Sequence, residues 1–380
     1  MIHPPPLSLY IHFPWCVRKC PYCDFNSHPL HQALDQDRYI HALVHDLAHE
    51  LTRFTPNVPL SSIFLGGGTP SLFDAKSLRW LLIEVEEHVD FADDIEITME
   101  ANPGTTEHHD FDSYRSAGIN RLSIGVQTFD PLQLKKLGRI HSPDDPGKAL
   151  QSARQGGFEN INIDLMFGLP QQSVEQALID LDRALELKPE HLSLYQLTLE
   201  PNTVFYRYPP QLPDQDLVFE IQAALQAKLE SAGYWQYEVS AYALKKEQCR
   251  HNLNYWQFGD YIGIGAGAHS KLTIDQTIIR RARKKHPATY IATAGGEAAV
   301  AESKQIRRDD ILFEYLMNGL RLKNGFNLNT ASKRTGHSPL SIRRVLHTHL
   351  TGELLEIFGD NIRCTDKGYL FLNNILTDLL

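Results

Sequence analysis

Three cysteines stand within eight residues in the segment FPWCVRKCPYCDF (residues 13–25), close to the start of the chain. Cys16, Cys20 and Cys23 follow the spacing C-x3-C-x2-C, and no fourth cysteine comes directly after them. Thiolates at such short spacing suit a soft metal centre. The segment therefore predicts a metal site in this loop, which is a better explanation than three buried cysteines without a ligand.

Two kinds of metal centre are compatible with this pattern. A structural zinc site usually closes with four protein ligands, and the fourth would come from one of these side chains: His12, His28, Cys249 or Cys364. A 4Fe–4S cluster also normally takes four cysteines, so three of them leave one iron open. An open iron can bind a small molecule through an amine and a carboxylate. We therefore expect a 4Fe–4S cluster with a vacancy for a substrate or cofactor, and zinc is the alternative.

The bulk composition is that of a globular protein. Of the 380 residues, 42% are hydrophobic and 22% charged, and the formal net charge is −9, which argues against a protein that coats nucleic acid. The N-terminus lacks the pattern of a signal peptide, and no apolar run reaches the roughly 18 to 20 residues of a membrane span. Five cysteines, three of them clustered, do not form a disulfide framework. We expect a cytoplasmic protein, and peripheral attachment to a membrane stays open.

Short apolar runs alternate with amphipathic helical patterns through about the first 235 residues. The predicted strands begin at Leu7, Ser61, Ile95, Asn120, Ile161 and Leu192. Runs of this kind are typical of parallel strands that are covered on both faces by helical crossovers. The pattern predicts an α/β fold in which six parallel strands form a partial (β/α)6 barrel. An open doubly wound sheet is the alternative.

Unusual residues fall at the ends of these predicted strands. The cysteine loop follows the first strand, GGGTP (residues 66–70) follows the second, Glu100 ends the third, Gln127 ends the fourth and Asp164 lies within the fifth. Ligands of parallel α/β folds bind at the carboxyl ends of the strands. We therefore expect these groups to meet in one site.

The cysteine motif, with an aromatic residue (Tyr22) before the third cysteine, resembles the signature of the radical S-adenosylmethionine (SAM) superfamily. Within that superfamily, nearly the whole chain resembles the oxygen-independent coproporphyrinogen III oxidase branch. The stretches that carry this resemblance are YIHFPWCVRKCPYCDF, FLGGGTPSL, MEANPG, RLSIGVQTFD, LGRIH and NIDLMFGLP. The resemblance implies a barrel of the radical SAM type and a SAM molecule whose amino and carboxylate groups bind the open iron.

The resemblance also implies a set of cofactor-binding residues: Tyr10, Tyr22, Gly67, Gly68, Thr69, Glu100, Gln127, Arg139 and Asp164. Glu100 or Asp164 could accept hydrogen bonds from ribose hydroxyls, and Arg139 offers a planar fork to a carboxylate. Glycine lets the backbone approach a ligand closely. The alternative for each polar residue is a structural role at the rim, where it bonds the loop backbone.

Two differences set this chain apart from the oxidases. Their fourth cysteine, two positions after the third, is replaced here by Phe25, and they carry a longer segment ahead of the cluster. In addition, HNLNYW (residues 251–256) resembles the HNxxYW motif of the HemW-like heme chaperones. The resemblance implies a chaperone that binds heme and transfers it to acceptor proteins, which include membrane-bound respiratory enzymes. An oxygen-independent coproporphyrinogen III oxidase is the alternative.

His251 is the candidate heme ligand in this motif, with Tyr255 and Trp256 packed on the porphyrin. The alternative is a core motif that holds a second domain to the barrel. The basic run RRARKKH (residues 280–286) either binds heme propionates, an acidic partner or lipid headgroups, or is a solvated hairpin edge.

We predict three domains. They are a radical SAM partial barrel (1–232), an α+β connecting region that holds the motif (233–296) and a winged-helix-like module (297–380). The last module lacks a basic surplus, so no nucleic acid partner is expected. A homodimer stays open.

Overall fold

A computed structural model describes residues 5–31, 33–104 and 111–380 of the chain. Residues 1–4, which belong to the N-terminus that lacks a signal-peptide pattern, lie outside the described residues. The six predicted strands are neighbours in one sheet, in chain order and parallel, which confirms the α/β fold. Their bounds are β1 Leu7–Phe13, β2 Leu60–Gly67, β3 Phe91–Ala101, β4 Arg121–Gln127, β5 Ile161–Phe167 and β6 His191–Gln196.

Helices connect these strands and cover their outer face. They are α1 Gln36–Leu51, α2 Ala75–His88, α3 Phe111–Ser116, α4 Pro131–Lys136, α5 Asp145–Gln155, α6 Val174–Glu186, α7 Val204–Arg207 and α8 Gln215–Ser231. Helix α1 begins at an aspartate cap, since the Asp35 side chain accepts a hydrogen bond from the Arg38 amide. Helix α6 begins with a capping box between Ser173 and Gln176. Apolar faces of these helices share one core with the strands.

The strands alternate between two kinds of side chain. Along β1, Leu7, Leu9 and Ile11 are almost fully buried in the core beneath the helices. The intervening Ser8 and Tyr10 contact residues of β2 instead. Ser8 Oγ lies 2.8 Å from Ser62 Oγ, and the ring of Tyr10 lies 6.3 Å from that of Phe64. Because successive side chains of a strand point to opposite faces, the inner face of the barrel is largely polar.

The sheet continues beyond the six strands at both edges. The added strands are β7 Trp235–Gln236, β8 Ala241–Ala243, β9 Asp260–Ile264, β10 His269–Ile274, β11 Thr277–Arg283 and β12 Val300–Gln305. Strand β9 pairs parallel with β1, whereas β8 pairs antiparallel with β6. The full order is β12-β11-β10-β9-β1-β2-β3-β4-β5-β6-β8-β7. The region 233–296 therefore contributes strands to the same sheet as the barrel, and its helices are α9 Arg250–Trp256 and α10 Pro287–Thr293.

The C-terminal module is built around a second core, which also includes Phe258 and Ile278 of the connecting region. Helices α11 Arg308–Gly319, α12 Leu328–Thr335, α13 Pro339–Val345 and α14 His347–Thr351 precede a strand pair, followed by α15 Asp366–Leu370 and α16 Leu372–Asp378. The strands β13 Phe326–Asn327, β14 Leu355–Phe358 and β15 Asn361–Cys364 form a small antiparallel sheet with β15 in the middle. Helices followed by a strand pair agree with the predicted winged-helix-like pattern.

The basic run on β11 is neither a solvated edge nor a free cationic patch. Arg283 is 1% exposed, and its Nε lies 2.8 Å from Asp46 Oδ1 on α1 while its Nη2 donates to Glu50. Arg281 Nε lies 3.2 Å from Glu50 Oε1, and Arg280 pairs with Glu314 of α11. Both predicted roles are therefore wrong for these three arginines, because acidic side chains of α1 and α11 neutralise them.

Candidate functional site

The cysteine loop is tied to distant parts of the chain. Residues Trp15–Cys16 and His28–Pro29 form a short parallel ribbon across its base. Between these two segments, the side-chain Nδ2 of Asn26 donates to the carbonyls of Ala266 and Lys285, at 2.8 Å each. Gly267 packs so close that a Cβ there would lie 2.5 Å from Asn26 Nδ2. The loop is thus held in place from the far edge of the sheet.

All three cysteines are half-buried and line one cavity of about 350 Å³ at the carboxyl ends of β1–β6. Among the predicted cofactor-binding residues, eight line the same cavity: Tyr22, Gly67, Gly68, Thr69, Glu100, Gln127, Arg139 and Asp164. The structure thus brings these groups together with the cysteines, as their places at the strand ends predicted.

The glycines after β2 make room for the protein itself. Gly67 has φ +109°, and a Cβ there would lie 2.3 Å from Cε1 of His12. A Cβ on Gly68 would lie 2.4 Å from the carbonyl oxygen of Trp15, next to the first cysteine. Gly68 N donates to the Phe13 carbonyl at 2.6 Å. These glycines therefore let β2 pack against the base of the cysteine loop.

A polar chain runs from the glycine turn to the second cysteine. Asn102 Nδ2 donates to Thr69 Oγ1 at 2.8 Å, and Asn102 Oδ1 accepts from Arg139 Nη2 at 2.6 Å. Arg139 Nη1 lies 4.0 Å from Cys20 Sγ. Within the described part of the chain, the buried Nε of Arg139 has no hydrogen-bond partner. A donor left over beside the thiols fits a ligand carboxylate.

Two carboxyl groups face the cavity from neighbouring strands. Glu100 Oε2 accepts from Gly67 N at 2.9 Å, and burial together with the charge of Asp164 raises the pKa of Glu100 to about 8. Burial also raises the pKa of Asp164, which accepts from Asn162 and Ser123 at 2.8 and 3.2 Å. Carboxyl groups in such a site can bond the hydroxyls of a ribose.

Gln127 and Tyr22 occupy the rim. Gln127 ends β4 at φ +72°, a left-handed backbone that non-glycine residues rarely adopt, next to a break in the pairing register with β5. Tyr22 precedes the third cysteine, and its ring lies 6.4 Å from Phe205 of α7. Since Phe205 N donates to the Pro21 carbonyl at 3.0 Å, α7 packs directly on the cysteine loop.

Tyr10 and His251 lie outside the set that lines this cavity. Tyr10 OH shares a hydrogen bond with His12 Nδ1 at 3.0 Å, so it supports the histidine that packs on Gly67. The ring of His251 lies 5.1 Å from Phe64 and 6.3 Å from Tyr10, and its Nδ1 shares a 3.3 Å hydrogen bond with Ser62 Oγ. Burial lowers the pKa of His251 to about 3, so the imidazole is neutral.

Helix α9 carries the HNLNYW motif and closes the barrel at the amino ends of the strands. Glu96 Oε1 accepts from the amides of Arg250 and His251 at 2.9 and 3.2 Å. Asn254 Nδ2 donates to Ser8 Oγ at 2.8 Å and to the Asp260 carbonyl at 2.9 Å. Asn252, the second residue of the motif, lines the cavity from below. Helix α9 is therefore a plug that forms the floor of the barrel.

Several cavity residues were not predicted from the sequence. They are Asn102, Arg121, Ser123, Asn162, His191 and Ser193. The signal that reveals them is alternation: in RLSIGVQ and INIDLMF the polar residues recur at every second position, and so face the inside of the barrel.

The three thiols suit a 4Fe–4S cluster, because they line one cavity with Arg139 beside Cys20. Among residues 5–31, 33–104 and 111–380, no group of three or more histidine, cysteine or acidic side chains converges on a single-ion site. Phe25, which stands where the oxidases have a fourth cysteine, also lines this cavity and is 57% exposed.

In the part of the chain that the structure describes, no helix has the length and apolar character of a membrane span.

Comparison with known proteins places this site in a family. The model of the radical SAM superfamily matches residues 10–183, and that of the HemN C-terminal domain matches residues 306–371. In fold, the chain is similar to coproporphyrinogen III oxidase (HemN) from Escherichia coli, with a TM-score of 0.83 at 24% identity over 99% of this chain and 90% of that one.

Curated relatives match over nearly their full length. The chain is 46% identical to heme chaperone HemW of Haemophilus influenzae (98% of this chain, 97% of the relative) and 46% identical to that of Escherichia coli (99% and 98%). It is 35% identical to that of Bacillus subtilis over 87% of both chains. The radical SAM match implies a 4Fe–4S cluster and SAM as cofactors. The chain therefore belongs to the radical SAM superfamily and, within it, to the family of heme chaperone HemW.

Proposed function

We propose that this protein is a heme chaperone, which binds heme and transfers it to acceptor proteins. The observation that carries the proposal is the 46% identity to curated heme chaperones over 98% of the chain. The exposed Phe25, in place of the oxidases' fourth cysteine, agrees with it. Titration of the purified protein with heme should saturate at one heme per chain. A protein without saturable heme binding would contradict the proposal.

Cys16, Cys20 and Cys23 are proposed to hold the 4Fe–4S cluster, with SAM on its open iron. When bound, this pair of cofactors supplies one-electron reductive chemistry on the sulfonium of SAM. The protein's own groups would position the ligand: Arg139, whose Nε has no partner among the described residues, would bind the carboxylate, and Glu100, which lines the cavity, would bind the ribose hydroxyls. In a chaperone, the cluster and SAM act as structural or regulatory elements.

The second candidate function is oxygen-independent coproporphyrinogen III oxidation. The intact SAM pocket favours it, because Glu100, Gln127, Arg139 and Asp164 all line the cysteine cavity. Complementation of a strain without its anaerobic coproporphyrinogen oxidase discriminates between the two. A chaperone should fail to rescue growth, whereas clear rescue would favour the oxidase.

The acceptors proposed for the chaperone are heme proteins, membrane-bound respiratory enzymes among them, reached by peripheral contact with the membrane. A heme-loaded preparation should restore activity to heme-free respiratory enzyme in membrane vesicles. Gel filtration with light scattering tests the proposed homodimer.

His251 is the candidate iron ligand that its motif suggests. In its favour, the hydrogen bond between Nδ1 and Ser62 orients the ring, and the neutral imidazole is the form that binds iron. The position of His251 is less favourable for binding heme. Tyr10 and Phe64 flank its ring inside the barrel. His251 also does not line the cysteine cavity or the larger cavity beside the C-terminal module. A heme that reaches His251 must displace part of the barrel floor.

A further inference from the structure

A second cavity lies between the barrel and the C-terminal module. Its volume is about 1190 Å³, compared with about 350 Å³ for the cysteine cavity. One wall comes from α8 and the sheet edge around β7 and β8, and the other from residues 321–324 and the β14–α16 segment. We refer to this space as the interdomain cleft. Tyr195 and Gln196, at the end of β6, line both cavities, so the cleft adjoins the cofactor site.

The two volumes decide which cavity can house a tetrapyrrole. Pockets for drug-sized ligands span roughly 300–1,000 Å³, so the cysteine cavity, at about 350 Å³, is at the lower end of that range and would also have to hold the cluster and SAM. The interdomain cleft is more than three times as large (1190 against 350 Å³). Its volume exceeds that range and leaves room for a large, flat macrocycle with two carboxylate arms.

One wall of the cleft is aromatic and open to solvent. Trp235 of β7 is 68% exposed and Phe219 of α8 is 52% exposed, and both line the cleft. Large aromatic side chains gain free energy when a ligand covers them, and they stack well on flat rings. Exposure of two such side chains in one cleft therefore points to an aromatic ligand.

The opposite wall offers a cation for a carboxylate. Lys323 and Arg363 are engaged, since they lie 3.2 and 2.7 Å from Asp366 and Glu356. Arg321 is half-buried and differs from them: it donates to the Met317 carbonyl, and its guanidinium lies 5.8 Å from the ring centre of Trp256. The buried carboxyl group of Glu238 also interacts with its charge, although burial raises the pKa of Glu238 to about 7. Because no carboxylate of the described residues forms an ion pair with Arg321 as those of Asp366 and Glu356 do with its neighbours, its guanidinium can still bind a ligand carboxylate.

We propose that the interdomain cleft is the heme site of this protein, with the porphyrin against Trp235 and Phe219 and a propionate on Arg321. The proposal rests on the proposed chaperone function. It gives the motif helix a positioning role, because Trp256 holds Arg321 in place while His251 and Asn254 keep the helix on the barrel. The cleft recognises the ring and its carboxylates, so binding does not require the iron.

Competition with metal-free porphyrin tests this directly. Protoporphyrin IX should displace heme from the cleft with similar affinity, and its dimethyl ester should compete about tenfold or more weakly, since it lacks the charges that Arg321 binds. Binding should quench tryptophan fluorescence, and the quenched amplitude should be smaller in Trp235→Phe than in the wild type, because Trp235 is one of four tryptophans in the chain. If heme binds but protoporphyrin IX does not compete, iron ligation dominates and the cleft is not the site. If the ester competes equally, Arg321 is not the anchor.

Variants provide the second test. Arg321→Gln should weaken heme binding about tenfold or more, while His251→Ala should keep the wild-type affinity and Soret position. Arg307→Gln, an exposed arginine paired with Asp310 on the same module, is the matched control and should bind like the wild type. Circular dichroism and iron content check that each variant folds and keeps its cluster. If His251→Ala alters the spectrum and Arg321→Gln does not, the heme sits at the motif and the cleft proposal fails. If the wild type binds no heme, the chaperone function itself fails.

Discussion

At the scale of single residues, packing around the cofactor site is tight enough to specify individual side chains. Gly67 is the clearest case, because its left-handed φ and the ring of His12 both exclude a Cβ. A tight turn alone would require glycine only for its left-handed backbone conformation. The additional contact with His12, which in turn bonds the Asn26 carbonyl at 2.9 Å, links this glycine to the cysteine loop.

Gly67→Ala should therefore destabilise the protein by about 1–3 kcal/mol and lower its iron content. Gly147→Ala is the matched control, since a Cβ there meets Leu187 at an ordinary 3.8 Å and the site is helical. It should gain up to about 1 kcal/mol. Urea denaturation and iron analysis measure both effects. Equal behaviour of the two variants would contradict the role assigned to the His12 contact.

The raised pKa of Glu100 has a consequence for stability. Its pKa is about 8 in the folded protein against 4.5 for the ordinary group. Between these values the unfolded chain has released the proton that the folded chain retains, so the stability of the cofactor-free protein falls as pH rises through this window. Glu100→Gln should remove that fall, and its melting temperature should exceed that of the wild type more at pH 8 than at pH 5. Parallel curves for the two proteins would refute the assignment. The exposed Glu87→Gln serves as control.

The cysteines predict a defined iron content. Anaerobic reconstitution should load about four irons per chain and produce a broad absorption band that dithionite bleaches. Cys20→Ser should lose this band, whereas Cys364→Ala, outside the loop, should keep it. Tightly bound zinc without iron uptake would point to the alternative metal site.

At the scale of elements, the plug helix α9 connects the barrel floor to the rest of the molecule. Asn254 is its main anchor, because one side-chain amide serves both Ser8 and the carbonyl of Asp260. Asn254→Ala removes both of these buried hydrogen bonds and should cost about 1–3 kcal/mol of unfolding free energy. Gln257→Ala, at the exposed end of the same helix, should cost little. Chemical denaturation compares them, and a loss no greater than that of the control would exclude the anchoring role.

The sequence predicts an element well when the interactions that form it join residues close together in the chain. Strands β1 and β5 have the predicted bounds, because each is a run of strand-forming residues between turn signals. The pairing of β9 with β1 could not be predicted, since it joins residues far apart in the chain and leaves no local pattern. Polar positions such as Ser123 were missed because the strands were interpreted as apolar throughout. Alternation in β4 and β5 contained that information.

The same distinction applies to the site. Cys16 and Glu100 could be located from their places after predicted strands, Arg139 was implied by the family resemblance, and the structure brings all three to one cavity. The roles of Arg281 and Arg283 could not be predicted, because their partners Asp46 and Glu50 lie on α1, more than two hundred residues earlier.

At the scale of the whole molecule, two hydrophobic cores lie on either side of the interdomain cleft. The contact between Phe258 and Tyr315, with ring centres 5.6 Å apart, belongs to the C-terminal core. Calorimetry should therefore resolve two unfolding transitions, and loading with cluster and SAM should raise only that of the barrel. A single transition with equal calorimetric and van't Hoff enthalpies would show that the two cores unfold as one unit.

The anchoring of the cysteine loop by Asn26 sets an order of events during synthesis. Its carbonyl partner Lys285 is 259 residues further along the chain. At about 5–20 residues per second, the ribosome needs roughly 10–50 s to reach that partner after the cysteines have been made. Throughout this interval the three thiols belong to an unclosed loop. We therefore expect iron to enter a chain that is nearly finished, which requires that the thiols stay reduced until then.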